Sequence, residues 1–274
     1  MAWRSVVRFD FGPYNDGVPM VLLPAALLVC LAHPVDLDHE VRRRAVPWLP
    51  PDLARLVVRH QRDFDRGAAA AAGWPRQYHQ PGTAGGTEVT LQAQCERVAQ
   101  AIRRREPFPE VIAGLGAVAH LCLDLNQSFA GPEAGSPYAS AFSSLMRAAS
   151  PRIPDVFYGQ DPWLVRGAGS RLSTSLRKRR AEMVPLAAIV REDMDRIGGP
   201  GRWPALDDRS SSFGAASLVL NHAASDFANL ASWVWRAAGG LVPDIPMHGN
   251  ILVWKGESRP RETSPVIRIR KVGH

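Results

Sequence analysis

The chain has 274 residues, 46% of them hydrophobic and 22% charged. That composition excludes a disordered polypeptide and is sufficient for a sizeable core. The net charge of +7 favours anionic partners such as phosphates, lipid headgroups or nucleic acid without choosing among them. Three cysteines, Cys30, Cys95 and Cys122, show no CxxC spacing, which excludes a disulfide-built scaffold, a zinc ribbon and a thioredoxin-type site.

Residues 18–32 read VPMVLLPAALLVCLA. This apolar run is interrupted by Pro24 and is shorter than the roughly 20 residues a spanning helix needs, so no transmembrane segment is expected. A secretory leader over residues 1–32, ending at Cys30-Leu31-Ala32, fits better and implies a secreted or periplasmic protein. A buried first helix or strand, in a cytoplasmic protein, is the alternative. Beyond His39, Leu53, Leu56, Val57 and Phe64 recur at near-helical spacing after Pro50 and Pro51, which predicts one amphipathic helix. An alanine run and a loop rich in Gly, Pro and aromatic residues occupy 68–86. Residues 88–105 are helical by composition and end in Arg103, Arg104 and Arg105, a basic end suited to a helix C-terminus. Residues 108–125 are apolar nearly all round, as the central helix of a large bundle would be, yet contain His120 and Asp124.

Further helices are expected over 138–149, over 170–197 with Pro185 placed to kink it, and over 212–238, closing at Gly239-Gly240. The serines around Ser170 and Ser210 read as helix starts. The tail, 241–274, carries strand-like runs (ILVW, VIRIR) and is expected to be a loosely attached extension. No βαβ rhythm appears, so the expected fold class is all-α: a multi-helix bundle in one domain over 33–240.

His120 and Asp124 stand four apart and therefore project from one helix face, where imidazole and carboxylate can grip one cation. A carboxylate in so apolar a helix costs several kcal/mol if unpaired. A metal would relieve that cost, and a buried His–Asp pair is the alternative. His222, within the last helix, reads as a core histidine, and His60 as a solvent-facing one. Cys95 and Cys122 lie on neighbouring helices and could pair in an exported protein. The arginine runs at 42–44, 103–105 and 177–180 read as solvated helix faces or as a phosphate-binding surface. They lack interleaved aromatics, so nucleic-acid binding gains no support. Neither a Gly-rich phosphate loop nor a Gly-x-Ser-x-Gly elbow is present.

The stretch GLGAVAHLCLDLNQSF, residues 114–129, resembles the central metal-binding helix of the zinc-dependent phospholipase C and single-strand nuclease superfamily. That pattern runs His, three residues, Asp, then Gln-Pro and a second His. Asp38-His39 followed by a helix, LPPDLARLVVRH with Arg66-Gly67, Tyr78-His79 in its loop, and the closing helix are similar to the family's other segments, so that the resemblance spans about 32–240. It implies zinc ions in a bundle cleft and hydrolysis of phosphate esters, of phospholipid or nucleotide type, by a metal-activated water. It further implies that Asp124 is a bridging and catalytic ligand, that His79 and His120 complete one site, and that His39 serves a neighbouring one. Cleavage after Ala32 would make His33 a ligand through the new N-terminus, and Asp65 stands nearest the family's general base. Ser128 and Ala130 replace the Pro and second His, and Tyr138 and Phe142 replace a later His and acid. One or two zinc ions rather than three are therefore expected. The alternative function is a catalytically degenerate member that binds a ligand or protein partner through the former cleft.

Overall fold

A computed structural model describes residues 36–83, 85–161, 172–242 and, as backbone, 252–254. The leader expected over 1–32 lies outside these residues, as does most of the tail. The first described helix, α1 (Leu37–Ala45), starts where Asp36 turns its carboxylate back to accept from the Asp38 N–H at 3.0 Å. It ends in three arginines that suit its dipole. A 3₁₀ turn, Val46–Trp48, leads into α2 (Pro51–Arg59) and α3 (Gln61–Ala72). The single helix expected up to Phe64 is thus broken. Prolines 47, 50 and 51 reset the chain after α1, and His60, at φ −109° and ψ 33°, leaves the helical region between α2 and α3. The alanine run that precedes the loop is the last turn of α3, which extends to Ala72.

A 3₁₀ turn, Arg76–His79, precedes α4 (Thr87–Arg103), and α5 (Phe108–Asn126) follows. α5 is the axis of the bundle, packed by α3, α4 and α9 (Ser211–Ala237). Among the described residues it alone has the length and apolarity to cross a membrane, and most of it is buried as core. Its closest neighbour is α3. A Cβ added at Gly67 would lie 1.8 Å from the Ala113 carbonyl oxygen, and one at Gly116 would lie 2.0 Å from that of Phe64. The two main chains therefore touch, and only glycine admits the contact.

α6 (Pro137–Ala149) begins at Ser136, whose side chain accepts from the Ala139 N–H. Ser210 caps α9 in the same way. The helix expected over 170–197 is two, α7 (Leu172–Met183) and α8 (Leu186–Arg196), because Pro185 ends one segment and starts the next. Between α6 and α7, residues 154–161 run extended along α9. Asn221, Ser225 and Asn229, spaced four apart, supply side-chain partners to the main chain of Pro154, Val156, Tyr158, Gly159 and Asp161 at 3.1–3.2 Å. Within this segment β1 (Asp155–Phe157) pairs antiparallel with β2 (Leu252–Trp254), in the register Val156 to Val253. That ribbon is the sole β pairing among the described residues, and the fold is all-α otherwise.

The first arginine run is structural rather than a solvated face. Arg44, with 1% of its side chain exposed, donates to Glu40 and Asn221 and to the carbonyls of Ser150, Pro154 and Ile153, and pairs with Asp155. Arg43 bridges Glu40 and Asp155. Together they tie α1 to β1 and α9, each partner satisfying a charge that would be costly alone.

Candidate metal centre

The centre forms where three segments meet: the start of α1, the turn at His79 and the C-terminal half of α5. His79 hangs from a loop that α4 clasps. Glu88 in the first turn of α4 accepts from the Gly82 N–H through both carboxylate oxygens, at 2.9 and 3.0 Å. The Thr83 hydroxyl and the Thr87 N–H donate to the Gln80 carbonyl. A side chain at Gly86 would collide with that same carbonyl at 2.1 Å.

The Nδ1 of His79 lies 2.7 Å from Asp124 Oδ2. The Nε2 of His120 lies 3.4 Å from the same oxygen, and its Nδ1 lies 2.9 Å from Asp38 Oδ2. The two rings stand edge to face with centroids 5.3 Å apart. His79, His120 and Asp124 each turn a ligand atom into one region, all within 4.8 Å of one another. Two buried atoms there have no hydrogen-bond partner, His79 Nε2 and Asp38 Oδ1.

Donating to Asp124 raises the His79 pKa above the usual histidine value, against the burial that lowers it. Burial pulls on His120 most, and the bond to Asp38 with the charge of Asp124 outweighs it, so this pKa is raised too. Two imidazoles and a carboxylate within reach of one point suit a divalent ion of borderline softness, and three such ligands leave a position open for water or substrate.

The remaining expected residues fall elsewhere. His39 is exposed on α1, and its Nδ1 faces Arg42 Nη2 at 2.7 Å. The preceding residue, Asp38, is the one α1 turns inward. Asp65 is ion-paired to Arg42 and 44% exposed, outside the His79, His120 and Asp124 group. His33 lies outside the described residues. The Tyr138 hydroxyl donates to Asp195 at 2.6 Å, while Phe142 is fully buried against Phe129, so neither position offers a ligand to the cluster. Cys95 and Cys122 are free, buried thiols. His222 stacks on Tyr158 at 4.0 Å with Nδ1 unpartnered, and burial, helped by Arg179, pushes its pKa down to about 3.

Sequence reasoning passed over Asp38 as a site residue. The signal was present in the Asp36-x-Asp38 pattern, since a capping acid at Asp36 fixes where α1 starts and hence which neighbour points inward. It also passed over Asp226, a partly buried carboxylate on α9 that accepts from Asn126 at 2.9 Å and Arg179 at 3.1 Å.

An all-α bundle with a His–His–Asp group on its central helix and an adjoining loop thus defines the class of fold and site. No family model and no curated protein sequence matches the chain. Among solved structures, the alpha-toxin of Clostridium perfringens, isolated from the avian strain SWCP, is similar with a TM-score of 0.53 at 9% identity. The similarity covers 76% of this chain and 65% of the toxin chain, so the chain spans just under two thirds of that protein. At this identity the shared property is the fold.

Proposed function

We propose that the chain is a metal-dependent hydrolase of phosphate esters, with zinc held by His79, His120 and Asp124. The observation that carries this reading is the convergence of the three donors within 4.8 Å from segments more than 40 positions apart. The toxin-like fold, of phospholipase C type, supports it, as does the resemblance of residues 114–129 to that family's metal helix. When bound, zinc supplies Lewis acidity toward a phosphoryl oxygen and acidifies a coordinated water. The protein's part is to hold the donors in place. Asp124 holds the His79 imidazole at 2.7 Å, and Glu88 ties down the loop that carries it. The surplus of basic residues favours an anionic substrate, a phospholipid or nucleotide ester. Export through the leader at 1–32 belongs to the same reading, and N-terminal sequencing of protein recovered outside the cell tests it.

Purified protein should contain about one zinc per chain and hydrolyse bis(4-nitrophenyl) phosphate, and chelation should abolish turnover. Asp124→Asn should lower kcat by at least about 100-fold, consistent with loss of a metal ligand. Metal-free protein without turnover after zinc is added would sink the reading.

A second reading is favoured by Tyr138 and Phe142, one committed to Asp195 and the other to the core where a fuller set of ligands is expected. In it the bundle keeps one ion and binds a ligand without hydrolysing it. Stoichiometric zinc with no turnover above a chelated control would select this reading.

A further inference from the structure

We infer that Asp38 is the positioning residue that makes His120 a metal ligand, an inference that rests on the metal site proposed above. The argument begins with protons. An ionised carboxylate can only accept, so the 2.9 Å contact between Asp38 Oδ2 and His120 Nδ1 requires the proton to be on Nδ1. In the neutral ring this leaves Nε2 with its lone pair, and Nε2 faces Asp124 Oδ2 at 3.4 Å. Two lone pairs opposed across that gap repel and form no hydrogen bond. A cation between them turns the repulsion into two bonds. Two donors, each roughly 2.1 Å from a shared tetrahedral ion, stand about 3.4 Å apart. Asp38 therefore selects the tautomer that points a donor at Asp124.

The placement of Asp38 is itself built. Its backbone N–H is held by the Asp36 carboxylate at 3.0 Å, and the first turn of a nine-residue helix favours an acid there. Its second oxygen, Oδ1, is buried and has no hydrogen-bond partner among the described residues, so none of them draws the carboxylate away from the imidazole. His39 is directed away instead, onto Arg42. Asp38 touches the ligand and not the ion, and its effect reaches the metal through the ring of His120.

The test measures zinc affinity by competition with a chelating dye, together with the visible spectrum of the cobalt-substituted protein, for the full chain and four variants. Asp38→Ala is expected to weaken zinc binding about 10–100-fold and to alter the cobalt bands. Asp38→Asn, which keeps an acceptor of the same shape without the charge, should fall between it and the parent. His39→Ala should bind within twofold of the parent, and Asp124→Ala should lose the ion. The Asp38→Asn comparison stands on its own if Asp38→Ala does not fold. Affinity and spectrum unchanged in the Asp38 variants, with Asp124→Ala metal-free, would overturn this inference and leave the metal site standing. A parent protein that binds no zinc would overturn both.

Discussion

Three histidines of this chain divide between opposite kinds of physics. His79 and His120 lie beside carboxylates that stabilise their charged forms, whereas His222 has a stacked tyrosine on one face, a nearby Arg179, and no acceptor for Nδ1. Its folded pKa of about 3 lies below the ordinary value near 6.5. Between those limits the unfolded chain takes up a proton that the folded chain refuses, so this residue removes stability as the pH falls from about 6.5 toward 3. Above about 6.5 it has no such effect. His222→Gln should therefore flatten the acid limb, which urea midpoints at pH 7 and pH 5 would register as a smaller drop than in the parent. An equal or steeper drop would contradict the assignment. Part of this residue-scale pattern was legible in advance. The four-residue interval between His120 and Asp124 places both on one helix face whatever the surrounding fold. The choice between Asp38 and His39 was legible only through the capping pattern at Asp36, because adjacent helical residues point about 100° apart and their spacing alone does not say which faces inward.

At the level of elements, composition and apolar content located α4, α5, α6 and α9 to within one or two residues. The apolar pattern continues through His60, so that break was passed over, while Pro185 was read as a kink and is a full break. Both halves of each pair pack on the same bundle, so the hydrophobic stripe persists where the hydrogen-bond ladder does not. α1 was hard to bound for the opposite reason. Its buried residues mix Leu37, Val41 and Ala45, which join the core, with Glu40, Arg42 and Arg44, and Arg44 bonds inward to Glu40 and a carbonyl, so no clean apolar stripe marks the helix. The contact of α3 with α5 makes a sharper claim. Gly116→Ala puts a methyl group into the Phe64 carbonyl, and neither main chain can yield without moving a helix. We expect a loss of about 1–3 kcal/mol in unfolding free energy, larger than the gain in helix propensity of about 1 kcal/mol. Chemical denaturation measures it, and a stabilised variant would show the helices to be further apart.

For the molecule as a whole, an all-α bundle was evident from the absence of alternating strands and from one helix apolar on every side. What composition could not convey is how residues 154–161 are laid down. An extended segment has no internal hydrogen bonds, and here α9 provides them from Asn221, Ser225 and Asn229. In sequence those three look like ordinary polar interruptions of an apolar helix. The tail shows the same limit, since its LVW strand needs a partner about a hundred positions away.

The glycine contact reaches further than stability. Gly116, His120 and Asp124 follow one another at four-residue steps along α5, each about 40° round from the last, so the stretch that carries two of the metal donors begins one turn beyond the point where two backbones abut. Spacing there is set by peptide groups, which cannot be compressed or repacked as side chains can. Trimming the core nearby should then weaken the protein without disturbing its donors. Ile112→Val, at a fully buried position, should cost about 0.5–1.5 kcal/mol while leaving zinc affinity unchanged within twofold. Such a scaffold lets mutation erode or enrich the interior while the reactive end keeps its alignment.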